Sequence, residues 1–249
     1  VEQCNGIFAF AVWEHTAQRL FLARDRIGVK PLFYAEIPGG LVFGSEIKAL
    51  LQHPDVPHEI DQNRVADLLL LGPGRTPGYG VFRTIREVKP AHCGYYMQGS
   101  LHLHPYWELY AAVHTDSFAE TAAHVRELLT DAVRRQLVSD VPIGTFLSGG
   151  LDSSLLSSLS SQVLRERGEM LHTFSVDYRD NDRYFRKSHF QPTSDPAYIR
   201  AMERYLGCQH HWTVLDTPAL AEALYAAVDA RDLPGMVDVD SSLLLFCGE

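Results

Sequence analysis

The sequence has no long hydrophobic run. Its longest apolar stretches, Ile7 to Trp13 and Leu68 to Leu71, fall well short of the roughly 20 residues that a membrane-spanning helix needs. No membrane helix is expected. Basic residues are in deficit, with 22 Lys and Arg against 31 Asp and Glu and a formal charge of −9. That balance disfavours a general polyanion surface, so nucleic acid is not an expected partner. Cysteine is sparse: Cys4, Cys93, Cys208 and Cys247 form no C-x-x-C pair. No Asn-x-Ser/Thr sequon accompanies them, so a disulfide framework is not expected and reduced thiols in a cytoplasm are the simplest account. The 12 histidines include no H-x-x-x-H or H-E-x-x-H set, which argues against a dedicated zinc site on one helix face. Val1-Glu2-Gln3-Cys4 has no initiator Met, basic n-region or apolar h-region, so neither a signal peptide nor the start of a gene product is expected there.

What is present suffices for a sizeable core. With 249 residues and 46% hydrophobic composition, two compact domains or one large α/β domain are expected. The first part reads as an antiparallel β layer. Gly6 to Glu14, Leu20 to Arg24, Leu32 to Ala35 and Leu41 to Gly44 are short aliphatic and aromatic runs, separated by turn chemistry at Asp25 to Gly28 and Pro38-Gly39-Gly40. Alternating aromatics in Gly6 to Trp13 read as a core strand, not a cofactor site. Ser45 to Leu51 is expected as a short helix. Asp61 is expected to cap a second, with Val65, Leu68 and Leu69 as its apolar face. Gly72 to Gly80 is expected as loop, because its spacing does not match G-x-G-x-x-G and its prolines remove amides from any phosphate cradle. Val81 to Met97 and Leu101 to Tyr106 return to extended structure, giving a domain over 1–106 and a connection over 107–116.

From 117 to 249 the period changes. Ser117-x-x-Glu120 is a capping box. Phe118, Ala122, Val125, Leu129, Ala132, Val133 and Leu137 follow at helical spacing. A strand over Ile143 to Leu147, a helix from Asp152 to Glu166, strands over Leu171 to Asp177 and Gln209 to Leu215, and helices opened by Asp195-Pro196 and Thr217-Pro218 complete the pattern. Strands alternating with helices imply right-handed crossovers and a mostly parallel sheet, whose ligands sit beyond the carboxyl ends of the strands.

One segment there carries chemistry: Ser148-Gly149-Gly150-Leu151-Asp152-Ser153-Ser154, between a strand and a helix. Paired glycines permit a sharp turn with exposed amides, and the following helix aims its unpaired N–H groups and positive dipole end at the same point. Such a place binds an anion. Ser148 and Ser153 add hydroxyl donors. Asp152 would be misplaced beside phosphate unless it served a cation, so a magnesium ion bridging it to pyrophosphate oxygens resolves the conflict. The loop is not a Walker loop, for it lacks G-x-x-x-x-G-K-S/T and has no lysine in the turn.

S-G-G-x-D-S resembles the pyrophosphate loop of the ATP pyrophosphatase group. Ser139-Asp140-Val141-Pro142-Ile143-Gly144 leading into it is similar to the glutamine-dependent asparagine synthetases. So are Asn5-Gly6-Ile7-Phe8-Ala9-Phe10-Ala11, Arg24-Asp25-x-x-Gly28-x-Lys30-Pro31-Leu32 and Phe43-Gly44-Ser45-Glu46-x-Lys48-Ala49-Leu50. Leu171 to Val176, Gly207 to His211, and Asp232-x-Pro234 with Asp238 also fit. The resemblance implies an α/β fold class: part of an N-terminal-nucleophile-type glutaminase β layer, then a doubly wound parallel-sheet ATP pyrophosphatase domain. It implies ATP, aspartate and glutamine as small-molecule substrates and a ligase that adenylates aspartate before ammonia attacks. Leu147 and Val176 would lie beside the adenine nucleotide, while Ser148, Gly149, Gly150, Asp152 and Ser153 would hold pyrophosphate, Asp152 through magnesium. A homodimer is compatible with it.

The family's nucleophile is a cysteine that becomes the first residue on Met removal, and Val1 stands first here, so no catalytic residue is assigned and Cys4 is expected to be a structural thiol, buried or partly exposed. The glutamine-binding segments and the later S-G-E-G-x-D-E segment are also not found, which gives the expectation of an interior piece of a longer enzyme. Trp212 follows His210-His211 where relatives carry an acidic residue, and the two histidines are expected to pack, not to ligate. The stretch 179–192, longer and more basic than usual, is expected either as a lid or as a solvated loop. An amide or lactam synthetase with another acceptor acid, or a non-catalytic nucleotide-binding scaffold, are the alternatives.

Overall fold

A computed structural model describes residues 1–72, 74–186, 189 and 193–248, apart from the side chains of Val237 and Asp238. Two compact units emerge, Val1–Ala112 with Leu224–Asp240, and Val113–Ala223 with Ser241–Glu249.

The first unit opens with β1 (Ala9–Glu14), β2 (Arg19–Arg24), β3 (Phe33–Ile37) and β4 (Gly40–Gly44), followed by helices α1 (Ile47–Leu51) and α2 (Gln62–Leu71), then β5 (Arg86–Glu87), β6 (His92–Met97) and β7 (Ser100–Pro105). These strands form two antiparallel sheets, ordered β1-β2-β6-β7 and β4-β3-β5. Alternation along β3 divides its side chains between two cores. Tyr34 joins Leu22, Leu32 and Val88 in one, while Phe33 and Ala35 join Ile47, Leu50, Val56 and Ile85 in the other. That two-period split is what a strand with both faces covered requires.

The expected extended run over Val81 to Met97 is interrupted, because Ala91 turns with φ 58 and donates its N–H to the Asp25 carbonyl. In α2 the Asp61 cap is present through a bond from the Asn63 amide, but the expected apolar face is corrected. Leu68 packs on the core whereas Leu69 is 79% exposed. Arg64 sets the helix's rotation by donating to the carbonyls of Gly80, Phe82 and Ile85. Its i+4 neighbour Leu68 therefore faces inward, and Leu69 lies a further 100° round.

The second unit contains α3 (Phe118–Gln136), β8 (Gly144–Phe146), α4 (Leu151–Glu166), β9 (His172–Tyr178), α5 (Asn181–Tyr184), α6 (Pro196–Leu206), β10 (Gln209–Leu215) and α7 (Thr217–Glu222). Strands β10, β9 and β8 pair in that order, all parallel. Helices α4 and α6 are the crossovers. Among the described residues this strand order has no reversal. The capping box is complete at Ser117 and Glu120. Phe118, expected on the apolar face, is 91% exposed. Among the described residues the buried positions at α3 lie at its C-terminal end, where Val133 and Leu137 meet Val163 of α4.

Helix α8 (Leu224–Arg231) belongs with the first unit, and α9 (Val237–Gly248) closes the described chain. Among the described residues no helix is long and apolar enough to cross a membrane.

Candidate functional site

The parallel ladder extends one residue past β8, where the Leu147 N–H reaches the Phe174 carbonyl at 2.8 Å. The Ser175 hydroxyl donates to the Leu147 carbonyl. Leu147 is 1% exposed, so any contribution to a ligand runs through its backbone. Beyond it the chain breaks away from the sheet. Gly149 has φ +79, and its α-carbon faces the start of α6: a Cβ there would lie 3.0 Å from the Asp195 carbonyl oxygen and 3.1 Å from Tyr198 Cβ. Only a glycine takes that left-handed conformation at so close an approach without strain. Gly150 differs. It has φ −76 and ψ 166 as N-cap of α4, with open space around its α-carbon apart from Ser148 Oγ at 3.4 Å.

Serine hydroxyls knit the loop. Ser148 Oγ and Ser153 Oγ lie 2.9 Å apart, the Ser148 amide donates to Ser153 Oγ at 3.2 Å, and Ser153 Oγ donates to the Gly150 carbonyl. Thr145 Oγ1 and the buried Ser157 Oγ, 2.8 Å apart, fasten β8 to α4. The N-terminus of α4 has no side-chain cap, whereas α2, α3 and α7 are capped by Asp61, Ser117 and Asp216. Among the described residues no side chain caps the amides that open α4, which is the property an anion site needs. Asp152 is exposed in the first turn and makes no ion pair among the described residues. An unpaired carboxylate beside serine hydroxyls and free amides fits a divalent cation held against a bound polyphosphate.

Val176 lies on β9 opposite Thr213, two residues beyond the last β8 pairing. Leu147, the Ser148 to Ser153 loop and Val176 thus gather at the carboxyl edge of one parallel sheet. Sequence reasoning missed the wall of the site formed by Asp195, Tyr198 and Ile199. Asp195-Pro196 signalled a helix start, but nothing local signalled that this start abuts Gly149. Asp177, whose Oδ1 accepts from Asn181 Nδ2 and the Tyr178 amide, was also missed at this edge.

The two histidines pack as expected. His210 Nδ1 bonds Thr173 Oγ1 at 2.7 Å, and His211 stacks on Phe174 and meets His172 Nδ1 at 3.0 Å. Burial pushes His210 below its ordinary value. Cys4 is exposed, not buried, and all four cysteines are free. Of 179–192, Arg179 pairs with Asp216 at 3.1 Å and Asn181–Tyr184 is helical. Residues 187, 188 and 190–192, and the side chain of Asp238, lie outside the described residues.

The asparagine synthase family model matches residues 124–249, a span that contains the whole loop and its sheet. The chain belongs to the asparagine synthase family. A glutamine amidotransferase domain model matches residues 1–107. The chain is 49% identical over 250 residues to asparagine synthetase [glutamine-hydrolyzing] 3 of Bacillus subtilis, covering 100% of this chain and 41% of that protein. It is 29% identical over 218 residues to a putative asparagine synthetase of Methanocaldococcus jannaschii, covering 85% and 39%. It is 28% identical over 250 residues to amidase chry2 of Gibberella zeae, covering 95% and 36%. The chain thus spans about two-fifths of the length of the curated relatives it matches.

Two of the segments on which the resemblance was read do structural work. Asp25 is 1% exposed and accepts from the amides of Ile27, Val29 and Lys30. Burial pushes its carboxyl up, but the amides of Lys30, Val29, Gly28 and Ile27 together hold it below the ordinary range. Arg24 donates to the carbonyls of Lys30, Gly28 and Val88 and pairs with Glu87 at 2.9 Å. Arg24-Asp25-x-x-Gly28-x-Lys30 is therefore a turn lock. Lys48 and Asp232, far apart in sequence, meet within the first unit. The Asp232 carboxylate accepts the Ile47 amide at 2.6 Å, capping α1, and lies 3.2 Å from Lys48 Nζ. Lys48 in turn donates to the last carbonyls of α8, those of Asp229 and Ala230. Each charge sits at the helix end whose dipole favours it.

Proposed function

We propose that the protein carrying this chain makes asparagine from aspartate with ATP, through a β-aspartyl-AMP intermediate, using ammonia from glutamine hydrolysis. The reading rests on one observation above all: an uncapped helix N-terminus, flanked by two serines and an unpaired carboxylate, at the carboxyl edge of a parallel sheet. We assign residues 1–106 to the C-terminal half of a glutaminase domain of N-terminal-nucleophile type, 107–116 to a linker and 117–249 to the N-terminal part of a doubly wound ATP pyrophosphatase domain.

In this reading the amides that open α4 and the hydroxyls of Ser148 and Ser153 hold the β- and γ-phosphates. They stabilise negative charge as it builds on the departing pyrophosphate, an electrostatic contribution that needs no protein nucleophile. Asp152 would hold magnesium, which when bound neutralises pyrophosphate charge. Backbone at Leu147 and Val176 supports the adenine. The carboxylate of aspartate attacks the α-phosphorus, the bond to pyrophosphate breaks, and ammonia then displaces AMP. For the glutaminase half, a cysteine exposed by removal of the initiator Met supplies the nucleophile; Cys4 has no part in it.

Asp152→Ala in the full-length protein tests this. Aspartate-dependent ATP–pyrophosphate exchange should be abolished while glutamine hydrolysis persists, since the loop serves only the adenylating half. Equal loss of both activities would mean that the loop is structural. A second reading, an amide synthetase with another acceptor acid, draws on the fungal relatives named amidases and on Trp212 after the histidine pair. Exchange driven by a different carboxylic acid and not by aspartate would select it.

A further inference from the structure

The charge of the whole chain is negative, yet one cavity of the first unit is lined by cations. It has a volume of about 420 Å³, and Arg64, Arg86, Lys89 and His92 line it together with Tyr34 and Tyr79. The carboxylate in its wall, Glu87, is already neutralised by the buried Arg24 at 2.9 Å. Arg64 is tied to Asp61 and to backbone carbonyls. Arg86 and Lys89 have no carboxylate partner among the described residues, and His92 uses Nδ1 on the Pro90 carbonyl, leaving Nε2 free.

Three of these cations have defined neighbours. The stem of Lys89 lies along Gly78, which has φ +95; a Cβ at that glycine would come within 2.8 Å of Lys89 Cε. Arg86 sits on β5, paired with Tyr34 and bridged to Tyr79, and the guanidinium of Arg64 lies 4.8 Å above the Tyr79 ring. The result is a recess in which Arg86 and Lys89, both exposed, meet no carboxylate among the described residues. Uncompensated like charges gathered in a concave site attract a counter-ion of matching charge.

We propose that this recess binds a small polyanion, a phosphate- or carboxylate-bearing metabolite, at a site separate from the Ser148 to Ser153 loop. Arg86 and Lys89 are its charged donors, and Tyr34 and Tyr79 line it beside them.

Titration calorimetry of the full-length protein, with inorganic phosphate in one arm and citrate in the other, tests the proposal and separates the two sources. Whichever anion binds should lose affinity by about tenfold or more in the Arg86→Ala/Lys89→Ala variant, the effect of removing charge-assisted donors. Gly78→Ala should weaken the same binding by displacing Lys89. A Ser148→Ala/Ser153→Ala variant, crippled at the nucleotide loop, should bind as the parent does. The proposal is overturned if neither anion binds the full-length protein, or if the Arg86/Lys89 variant binds unchanged with its thermal transition intact. Loss of binding in the serine variant alone would assign the anion to the loop and also overturn it.

Discussion

Replacing each glycine of the Ser148-Gly149-Gly150 turn by alanine should give sharply unequal results. At Gly149, φ is +79, and an L-residue in the left-handed region costs about 1–2 kcal/mol. The added methyl also meets Asp195 O at 3.0 Å, Tyr198 Cβ at 3.1 Å and Ile199 Cγ1 at 3.3 Å. None of these is the free end of a flexible side chain, and Ile199 is 2% exposed. Overpacking against such a wall adds about 1–3 kcal/mol. The expected total for Gly149→Ala is about 2–5 kcal/mol, which lowers the melting temperature of the unit carrying the loop by roughly 8–20 °C. Gly150→Ala needs no backbone strain and meets only Ser148 Oγ at 3.4 Å, so its cost is that of Ala for Gly at an N-cap, about 0.5–1 kcal/mol. Urea unfolding and calorimetric scans of the two variants, in the absence of nucleotide, measure the difference. Equal destabilisation would refute the assigned backbone geometry, and a tolerated Gly149→Ala would show that α6 does not press on the loop.

Asp232→Ala should remove the cap of α1 and cost roughly 0.5–2 kcal/mol. The Ile47 amide should exchange faster with solvent, whereas Asp232→Asn, which keeps an acceptor, should recover most of the protection; equal exchange in both would count against the cap. Lys48→Met should cost less, because its ammonium is 44% exposed and the pair is screened. Asp25 gives a pH dependence. Its native carboxyl titrates below its unfolded value, so the stability it adds is present above about pH 4 and fades as the pH falls through the native value. The urea midpoint should drop on acidification in the parent and drop less in Asp25→Asn; parallel slopes would remove Asp25 as the cause.

Much of the architecture is written in short-range pattern. The two-residue alternation of Phe33, Tyr34 and Ala35, the box at Ser117 and Glu120, and the proline-led helix starts at Pro196 and Pro218 act within a few residues. Local sequence is enough to specify them. Where the apolar period was extended too far, as at Leu69, a long-range contact had decided the rotation of the helix.

The Ser148 to Ser153 loop was legible for the same reason: its glycines, serines and helix start are contiguous, so the sequence alone determined that strand, turn and helix meet at one point. Tertiary structure decided the rest. The unequal demands on Gly149 and Gly150 arise from α6, more than forty positions onward, and the Lys48–Asp232 pairing joins segments 184 positions apart. The basic recess draws on β3, α2 and β5 at once. No periodicity or spacing encodes such meetings, because they exist only once the packing of whole elements has brought distant side chains within a few ångströms of each other.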